Sequence, residues 1–305
     1  MTCTRLGRVA AYRSVEPQRT LPATGGPGVG FRARPIHSLS TVVRNGAPTR
    51  WERMNIKREI TPGTDGNQLS IGIIGGGGQG VALARRLAQL GHRVAIANSR
   101  GPASLTALAA DIGAMPVSVV EAAEAKDIVI VSIPTKAVLD LPTSLFSNVP
   151  SSVVVDTSNY HPQLRDGRID AIDRGMPESE WVAEHLGRPV IKAFNNIFAE
   201  SFLEKGTPPN TPGRIALSVA GDPSDAREPV LRLVDDLGFD PVDAGGLEDS
   251  WRQQTGTPAY CQDLDATSLR RALAEADRSR LVEYRGAEEA RIKRSMATET
   301  STQSR

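Results

Sequence analysis

The stretch that decides the fold is IGIIGGGGQG, residues 71–80. Its apolar run at 71–74 predicts a buried strand, and a glycine-rich turn follows that run directly. Gly75, Gly77 and Gly80 occupy the three glycine positions of a G-x-G-x-x-G pattern. In that pattern the first glycine permits a tight turn and the second lets the backbone approach a pyrophosphate. The third lets a helix pack close to the strand.

A helix and a second strand are predicted after this turn, as the pattern requires. Leu83, Leu87 and Leu90 recur at helical spacing, and residues 93–97 form another apolar run. A helix that starts at the turn offers free N–H groups and the positive end of its dipole to phosphate. The alternative is a glycine-rich connection that binds nothing. We predict a dinucleotide-binding turn with contacts from Gly75, Gly77, Gly78, Gln79 and Gly80.

The end of the second predicted strand indicates which dinucleotide is bound. An NAD-binding chain usually has Asp or Glu there to hold the ribose hydroxyls. Asn98, Ser99 and Arg100 stand there instead, and none is acidic. A carboxylate would repel a 2′-phosphate, whereas these three side chains can bind one. The pattern favours NADP over NAD, the alternative being that Arg100 is a solvated loop residue.

Alternation of apolar runs with helical patterns predicts the fold class: α/β, a Rossmann-type doubly wound parallel sheet with a small C-terminal α+β extension. The predicted organisation has four parts. They are an Arg-rich extension at 1–69, an NADP-binding Rossmann domain at 70–198, a small substrate-capping region at 199–294 and a polar tail at 295–305. Eight strands are predicted, at residues 71–74, 93–97, 115–117, 128–133, 153–156, 189–194, 215–220 and 239–243.

Composition excludes several other classes of protein. Aromatic residues make up 4% of the 305 residues, which disfavours a nucleic-acid binder built on base stacking. Two cysteines are too few for a disulfide framework or a structural zinc site. No apolar run approaches the ~18 residues of a membrane span. We expect a cytoplasmic protein with no membrane, nucleic-acid or metal partner.

The net charge of +1 conceals two unlike parts. Residues 1–70 carry +7 and the remainder carries −6. Residues 1–53 contain nine arginines and no lysine, with frequent glycine and proline and no periodic pattern. This composition predicts a disordered extension. An organellar transit peptide, a nucleic-acid arm and an over-extended reading frame with Met54 as the true start are the alternatives.

Ligands of such sheets bind beyond the carboxyl ends of the strands, so the residues after each apolar run are candidates. Ser132, Ile133 and Pro134 follow one run and Asn195 follows another, and we predict that they contact the cofactor. The alternative is that they only form turns. His161 is a weak catalytic candidate, because imidazole suits proton transfer at neutral pH. His161-Pro162 also fits the start of a loop.

The sequence shows no Tyr-x-x-x-Lys pattern and no obvious His–Asp pair. Reduction of a carbonyl normally needs such a proton donor. Hydride transfer between two bound redox cofactors depends mainly on their relative position. The absence therefore favours a reaction between cofactors.

The residues above resemble the coenzyme F-420-dependent NADP oxidoreductase family, within a bacterial branch of dinucleotide-binding enzymes. The resemblance spans about residues 70–262. It implies hydride transfer between NADPH and a deazaflavin under a small C-terminal extension. It also implies that Ser99 and Arg100 hold the 2′-phosphate and that Pro134 and Asn195 border the nicotinamide. The segments that carry it are residues 71–80, 98–100, 132–134, 156–160, 192–197, 242–245 and 256–262.

Three functions follow as hypotheses. The first is an NADPH-dependent oxidoreductase whose small-molecule acceptor is coenzyme F-420 or a flavin. The second is an imine or pyrroline reductase, which needs a helical domain far larger than residues 263–294 provide. The third is a non-catalytic NADP-sensing protein. Each is compatible with a homodimer.

Overall fold

The structure is a computed structural model that describes residues 68–147, 149 and 152–303. The predicted disordered extension, and with it the question of Met54, lies outside the described residues. Within the described residues no helix is long and apolar enough to cross a membrane.

One eight-stranded sheet organises the described part of the chain. Its strand order is β3-β2-β1-β4-β5-β6-β7-β8, with order reversal between β1 and β4. Pairing is parallel from β3 to β6, β7 runs antiparallel to β6, and β8 is parallel to β7. This confirms the Rossmann-type fold class. The strands are β1 Ser70–Ile74, β2 Arg93–Ala97, β3 Met115–Pro116, β4 Ile128–Val131, β5 Val153–Asp156, β6 Ile191–Lys192, β7 Ala216–Gly221 and β8 Asp240–Asp243.

Nine α-helices connect and flank these strands in the described residues. The spacing of Ser118 and Glu121 predicts a capping box, and one is present at the start of α3. Gly113 and Gly187 end their helices in the left-handed conformation. The helices are α1 Gly78–Gln89, α2 Thr106–Ile112, α3 Val119–Ala123, α4 Asp170–Asp173, α5 Glu178–Leu186, α6 Ala199–Glu204, α7 Ser224–Asp236, α8 Ala266–Glu275 and α9 Leu281–Gln303.

Several boundaries differ from the sequence prediction; β4, for example, ends at Val131 rather than at residue 133. β6 covers two residues rather than the predicted 189–194, because Phe194 has φ 60° and cannot continue an extended strand. The sequence pattern from residue 269 to about residue 294 predicts one amphipathic helix, and in the structure this stretch is divided. Ala276 is extended, and Asp277 accepts a hydrogen bond from the Ser279 N–H to begin a 3₁₀ turn. The polar tail from residue 295 is helical as far as Gln303.

The strands β7 and β8 lie in the same sheet as the predicted NADP-binding part. The predicted boundary between residues 198 and 199 stays a prediction. The turn Leu247–Gln253 is a 3₁₀ helix, and it continues the chain from β8 toward α8. This arrangement brings C-terminal residues to the end of β6, where the site is built.

Candidate functional site

The turn between β1 and α1 requires glycine at two of the three predicted positions. Gly75 has φ +136°, and a Cβ there would overlap the backbone oxygen of Ser132. A Cβ at Gly80 would overlap the backbone oxygen of Gly75. These contacts hold the turn against the end of β4. The sequence-based reasons given for the first and third glycines are therefore present in the structure.

The second glycine, Gly77, is not required by packing against any described residue. Gly77 has an ordinary φ of −82°, and a Cβ there would have nothing within 4 Å. Gly78 is equally open, and both residues are exposed. Gly77 caps α1 without a side-chain hydrogen bond, and the first turn of α1 has no acidic residue. An uncapped helix start with open space before it fits a pyrophosphate group.

The end of β2 lies beside the glycine turn. The Gly75 N–H donates to the Ala97 carbonyl, and a Cβ on Gly76 would lie 3.5 Å from the Cβ of Asn98. Asn98 shapes its own loop, because its Oδ1 accepts from the Arg100 N–H at 3.0 Å. Ser99 and Arg100 are exposed. Among the described residues the Arg100 guanidinium has no hydrogen-bond or ion-pair partner, so its charge is available to an anion.

The residues after β4 lie at the same edge of the sheet. Ser132 donates its N–H to the Ile74 carbonyl at 2.8 Å, and its Cβ lies near Gly80. Ile133 contacts the Gly75 position, and Pro134 begins the 3₁₀ helix Thr135–Asp140. All three are half-buried. The predicted residues from β1, β2 and β4 thus lie at one edge of the sheet.

Gln79 joins this edge to the end of β6. Its Nε2 donates to the carbonyl of Phe194 at 3.0 Å, which links α1 to the segment that follows β6. Asn195 follows Phe194 and is buried. The glycine turn and the predicted nicotinamide border are therefore physically connected.

Both polar atoms of the Asn195 side-chain amide bond to protein partners. Its Nδ2 donates to the Gln253 carbonyl at 2.7 Å and to Asn159 Oδ1 at 3.1 Å. Its Oδ1 accepts from Gln253 Nε2 at 3.2 Å. Asn195 thus orders the groups around it, which include the half-buried side chain of Asn159.

A buried ion pair supports this arrangement, and the sequence analysis missed it. The Lys192 Nζ lies 3.2 Å from Asp156 Oδ2, and both side chains are fully buried. The same ammonium group donates to the Ser158 carbonyl. Asp156 also accepts from the Ser158 N–H at 2.9 Å and from the Ser179 hydroxyl at 2.7 Å. The signal in the sequence was Lys192 itself, a lysine within the apolar run 189–194.

His161 is held beside the loop after β4, because Asp166 accepts from the backbone N–H groups of His161 and Lys136. Burial first, and then the charge of Arg165, lowers its pKa to about 4. Its N–H backbone group donates to Asp166 Oδ2 at 2.8 Å, and its buried Nδ1 has no hydrogen-bond partner in the described residues. The imidazole is therefore neutral at pH 7 and holds no proton to give as an acid. Its catalytic role stays a prediction.

Burial raises the pKa of three further side chains in this part of the chain. Burial raises the pKa of the Cys261 thiol and of Tyr260. Burial raises the pKa of Tyr160 to about 12, and its hydroxyl is bonded to Asp173 and to the Ile169 N–H. Within the ranges that the structure describes, no group of His, Cys, Asp and Glu side chains could hold a metal ion.

The fold and this edge define a dinucleotide-binding protein of the Rossmann class. A family model described as "NADP oxidoreductase coenzyme F420-dependent" matches residues 70–160. The F420-dependent NADP reductase of Methanothermobacter thermautotrophicus is 28% identical over 198 residues, covering 60% of this chain and 83% of that protein. The chain is therefore similar to the NADP-dependent oxidoreductases of this family.

Two further relatives are less informative about activity. A hypothetical protein from Sinorhizobium meliloti, known as a crystal structure, is 34% identical with a TM-score of 0.57. That match covers 65% of this chain and 95% of that chain. The Escherichia coli protein YjhV is 48% identical over 65 residues, or 21% of this chain. The chain spans about half the length of YjhV, 47% of it.

Substitutions of Gly80 and Gly77 should have different effects on stability. Gly80→Ala should destabilise the protein by about 1–3 kcal/mol, because the new methyl group overlaps the Gly75 carbonyl. Gly77→Ala should change stability by less than about 0.5 kcal/mol, because the space around it is empty. Urea unfolding measures both. Equal losses in the two variants would contradict the assigned geometry.

The lowered pKa of His161 predicts a loss of stability in acid. The unfolded chain binds a proton near pH 6.5, whereas the folded chain binds it only near pH 4, so stability falls as pH drops through this window. From pH 7 to pH 5 the loss due to His161 should be about 2 kcal/mol. Urea unfolding of the wild type and of His161→Gln at both pH values isolates this contribution. An identical pH dependence in the two proteins would refute it.

Proposed function

We propose that this chain is an NADPH-dependent oxidoreductase that transfers a hydride between NADP(H) and a planar redox acceptor, a deazaflavin such as coenzyme F-420 or a flavin. The observation that carries the proposal is the open glycine turn. Gly75 and Gly80 are fixed by the fold, but Gly77 and Gly78 face empty space at an uncapped helix start. The match of residues 70–160 to the model of an NADP oxidoreductase family supports the same cofactor.

The adenosine end of the cofactor would lie at Asn98, Ser99 and Arg100. Asn98 folds the loop, Ser99 is exposed, and the guanidinium of Arg100 has no ion-pair partner in the described structure. A cation without an acidic neighbour favours the 2′-phosphate of NADP over the free hydroxyl of NAD. This supports NADP as the dinucleotide.

The reacting end of the cofactor would lie at the ends of β4, β5 and β6. When bound, NADPH supplies the hydride. Ile133 and Pro134 would form an apolar border, and Asn159 with Asn195 a polar one. Neither His161, whose pKa is lowered to about 4, nor Tyr160, whose pKa is raised to about 12, is a ready proton donor at pH 7. An acceptor that needs positioning more than a proton fits this site.

Charge at residue 100 should decide between NADPH and NADH. Arg100→Ala should weaken NADPH binding by about 10- to 100-fold, the effect of losing one charge-assisted contact, and leave NADH binding nearly unchanged. Fluorescence titration with each cofactor measures the difference. Arg174→Ala, which removes another exposed arginine, is the matched control. Equal losses for the two cofactors in Arg100→Ala would defeat the assignment.

The acceptor is tested by turnover. NADPH is incubated with the protein and with coenzyme F-420, riboflavin, a quinone or a cyclic imine, and nicotinamide absorbance is followed. We expect oxidation with the deazaflavin or the flavin. Turnover with the imine alone would favour the imine reductase hypothesis. Tight binding of NADPH with no turnover would favour the sensor hypothesis.

A further inference from the structure

The chain makes a turn directly after β6 that the residue at its centre does not favour. Phe194 is fully buried and has φ 60°, in the left-handed region that non-glycine residues rarely adopt. Such a conformation persists only where the surrounding structure imposes it, and it occurs most often at active sites and ligand clamps. The contacts around Phe194 therefore determine the course of the chain at the reacting end of the proposed site.

The three successive backbone carbonyls of residues 194–196 accept hydrogen bonds from three separate parts of the chain. The first accepts from Gln79 Nε2 at 3.0 Å, and the second accepts from Asn159 Nδ2 at 3.1 Å. The third accepts from the Cys261 N–H at 3.0 Å. These donors lie in α1, in the loop after β5 and in the C-terminal region. Of the three, Gln79 is the one that belongs to the glycine turn.

The hydrogen bond from Gln79 fixes a part of the turn that side-chain packing does not reach. The Phe194 ring packs edge-on against Phe202, with 6.0 Å between the ring centroids. That contact holds the ring, whereas the carbonyl of Phe194 belongs to the peptide group that leads into Asn195. Because a carbonyl accepts only from a donor, it is the NH₂ group of Gln79 that holds this peptide group in its direction.

Gln79 also takes part in the other end of the site through its backbone. It is the second residue of α1, whose start has no side-chain cap. Backbone N–H groups in the first turn of a helix have no partner within the helix, so they are free for the pyrophosphate of the proposed cofactor. The backbone of Gln79 thus faces the proposed phosphate site, while its side chain holds the turn after β6.

We propose that Gln79 is a positioning residue for the nicotinamide. By holding the Phe194 carbonyl it sets the direction from which Asn195, and through it Asn159, borders the reacting end of the cofactor. The inference rests on the proposed function. It gives the side chain a role within the protein, whereas the backbone serves the phosphates. Binding of the nicotinamide end should therefore depend on this hydrogen bond, and binding of the adenosine end should not.

The experiment compares NADP⁺ with 2′-phospho-ADP-ribose, which keeps all the phosphates and lacks the nicotinamide. The wild type should bind NADP⁺ about 10-fold more tightly, the effect of the contacts that the nicotinamide adds. In Gln79→Met, which keeps the shape of the side chain but has no N–H, the ratio should fall to about 2. Gln89→Met places the same substitution at the exposed end of α1 and should keep the wild-type ratio. Isothermal titration calorimetry measures each affinity without turnover.

Two further variants separate the hydrogen bond from the shape of the side chain. Gln79→Glu carries a carboxylate that accepts but does not donate, so its ratio should fall as in Gln79→Met. Gln79→Lys restores a donor, and its ratio should return to about 10. The added charges act on both ligands alike, because the two ligands carry the same phosphates. A residue needed only for folding would weaken both ligands together and leave the ratio unchanged.

An unchanged ratio in Gln79→Met and Gln79→Glu overturns the positioning role. A wild-type ratio near 1 overturns it as well, because the nicotinamide then gains nothing from this edge. A ratio that falls in Gln79→Met and does not recover in Gln79→Lys shows that the hydrogen bond is not the cause, and it also overturns the inference. Failure of the wild type to bind either ligand would instead refute the proposed function.

Discussion

The close approach of three backbone segments at the end of β1 is the constraint on which the site depends. Gly75, Gly80 and Ser132 meet with no room for a Cβ on either glycine. Side chains at these positions would push α1 away from β4 and separate the turn from the rest of the sheet. Because the contact is made by backbone alone, α1 starts without a side chain over its first N–H groups. The same backbone packing therefore leaves open the start of α1, where we propose that the pyrophosphate binds.

A second constraint acts at the other end of the edge. Burying Lys192 and Asp156 costs desolvation energy that a well-packed apolar pair would avoid, so stability alone gives a weak reason for the ion pair. Its contacts with the Ser158 backbone give a positional reason. Those contacts orient the residue that follows, Asn159. The ion pair between β5 and β6 thus helps to hold the half-buried Asn159 in place.

The sequence predicted the first half of the fold well because its determinants are local. The strand at 71–74, the glycine turn and the capping box at Ser118 each depend on neighbours a few residues away. β6 was predicted too long because the left-handed turn at Phe194 depends on tertiary contacts rather than on its own apolar character. The use of Asn195 could not be predicted either. Its partners, Asn159 and Gln253, lie 36 and 58 residues away in the chain.

The residues after β8 are therefore structural members of the site. Gln253 closes the amide group through Asn195 and the Lys192 carbonyl. A Cβ on Gly256 would overlap the Tyr284 carbonyl, so the segment after Gln253 lies directly against α9. A helix more than 80 residues beyond β6 consequently helps to place the amides at its end. The C-terminal region therefore orders the amides at the end of β6, whereas the proposed phosphate contacts lie at the glycine turn and Arg100. Changes in the C-terminal region should alter recognition of the acceptor, and changes at Arg100 should alter the choice of dinucleotide.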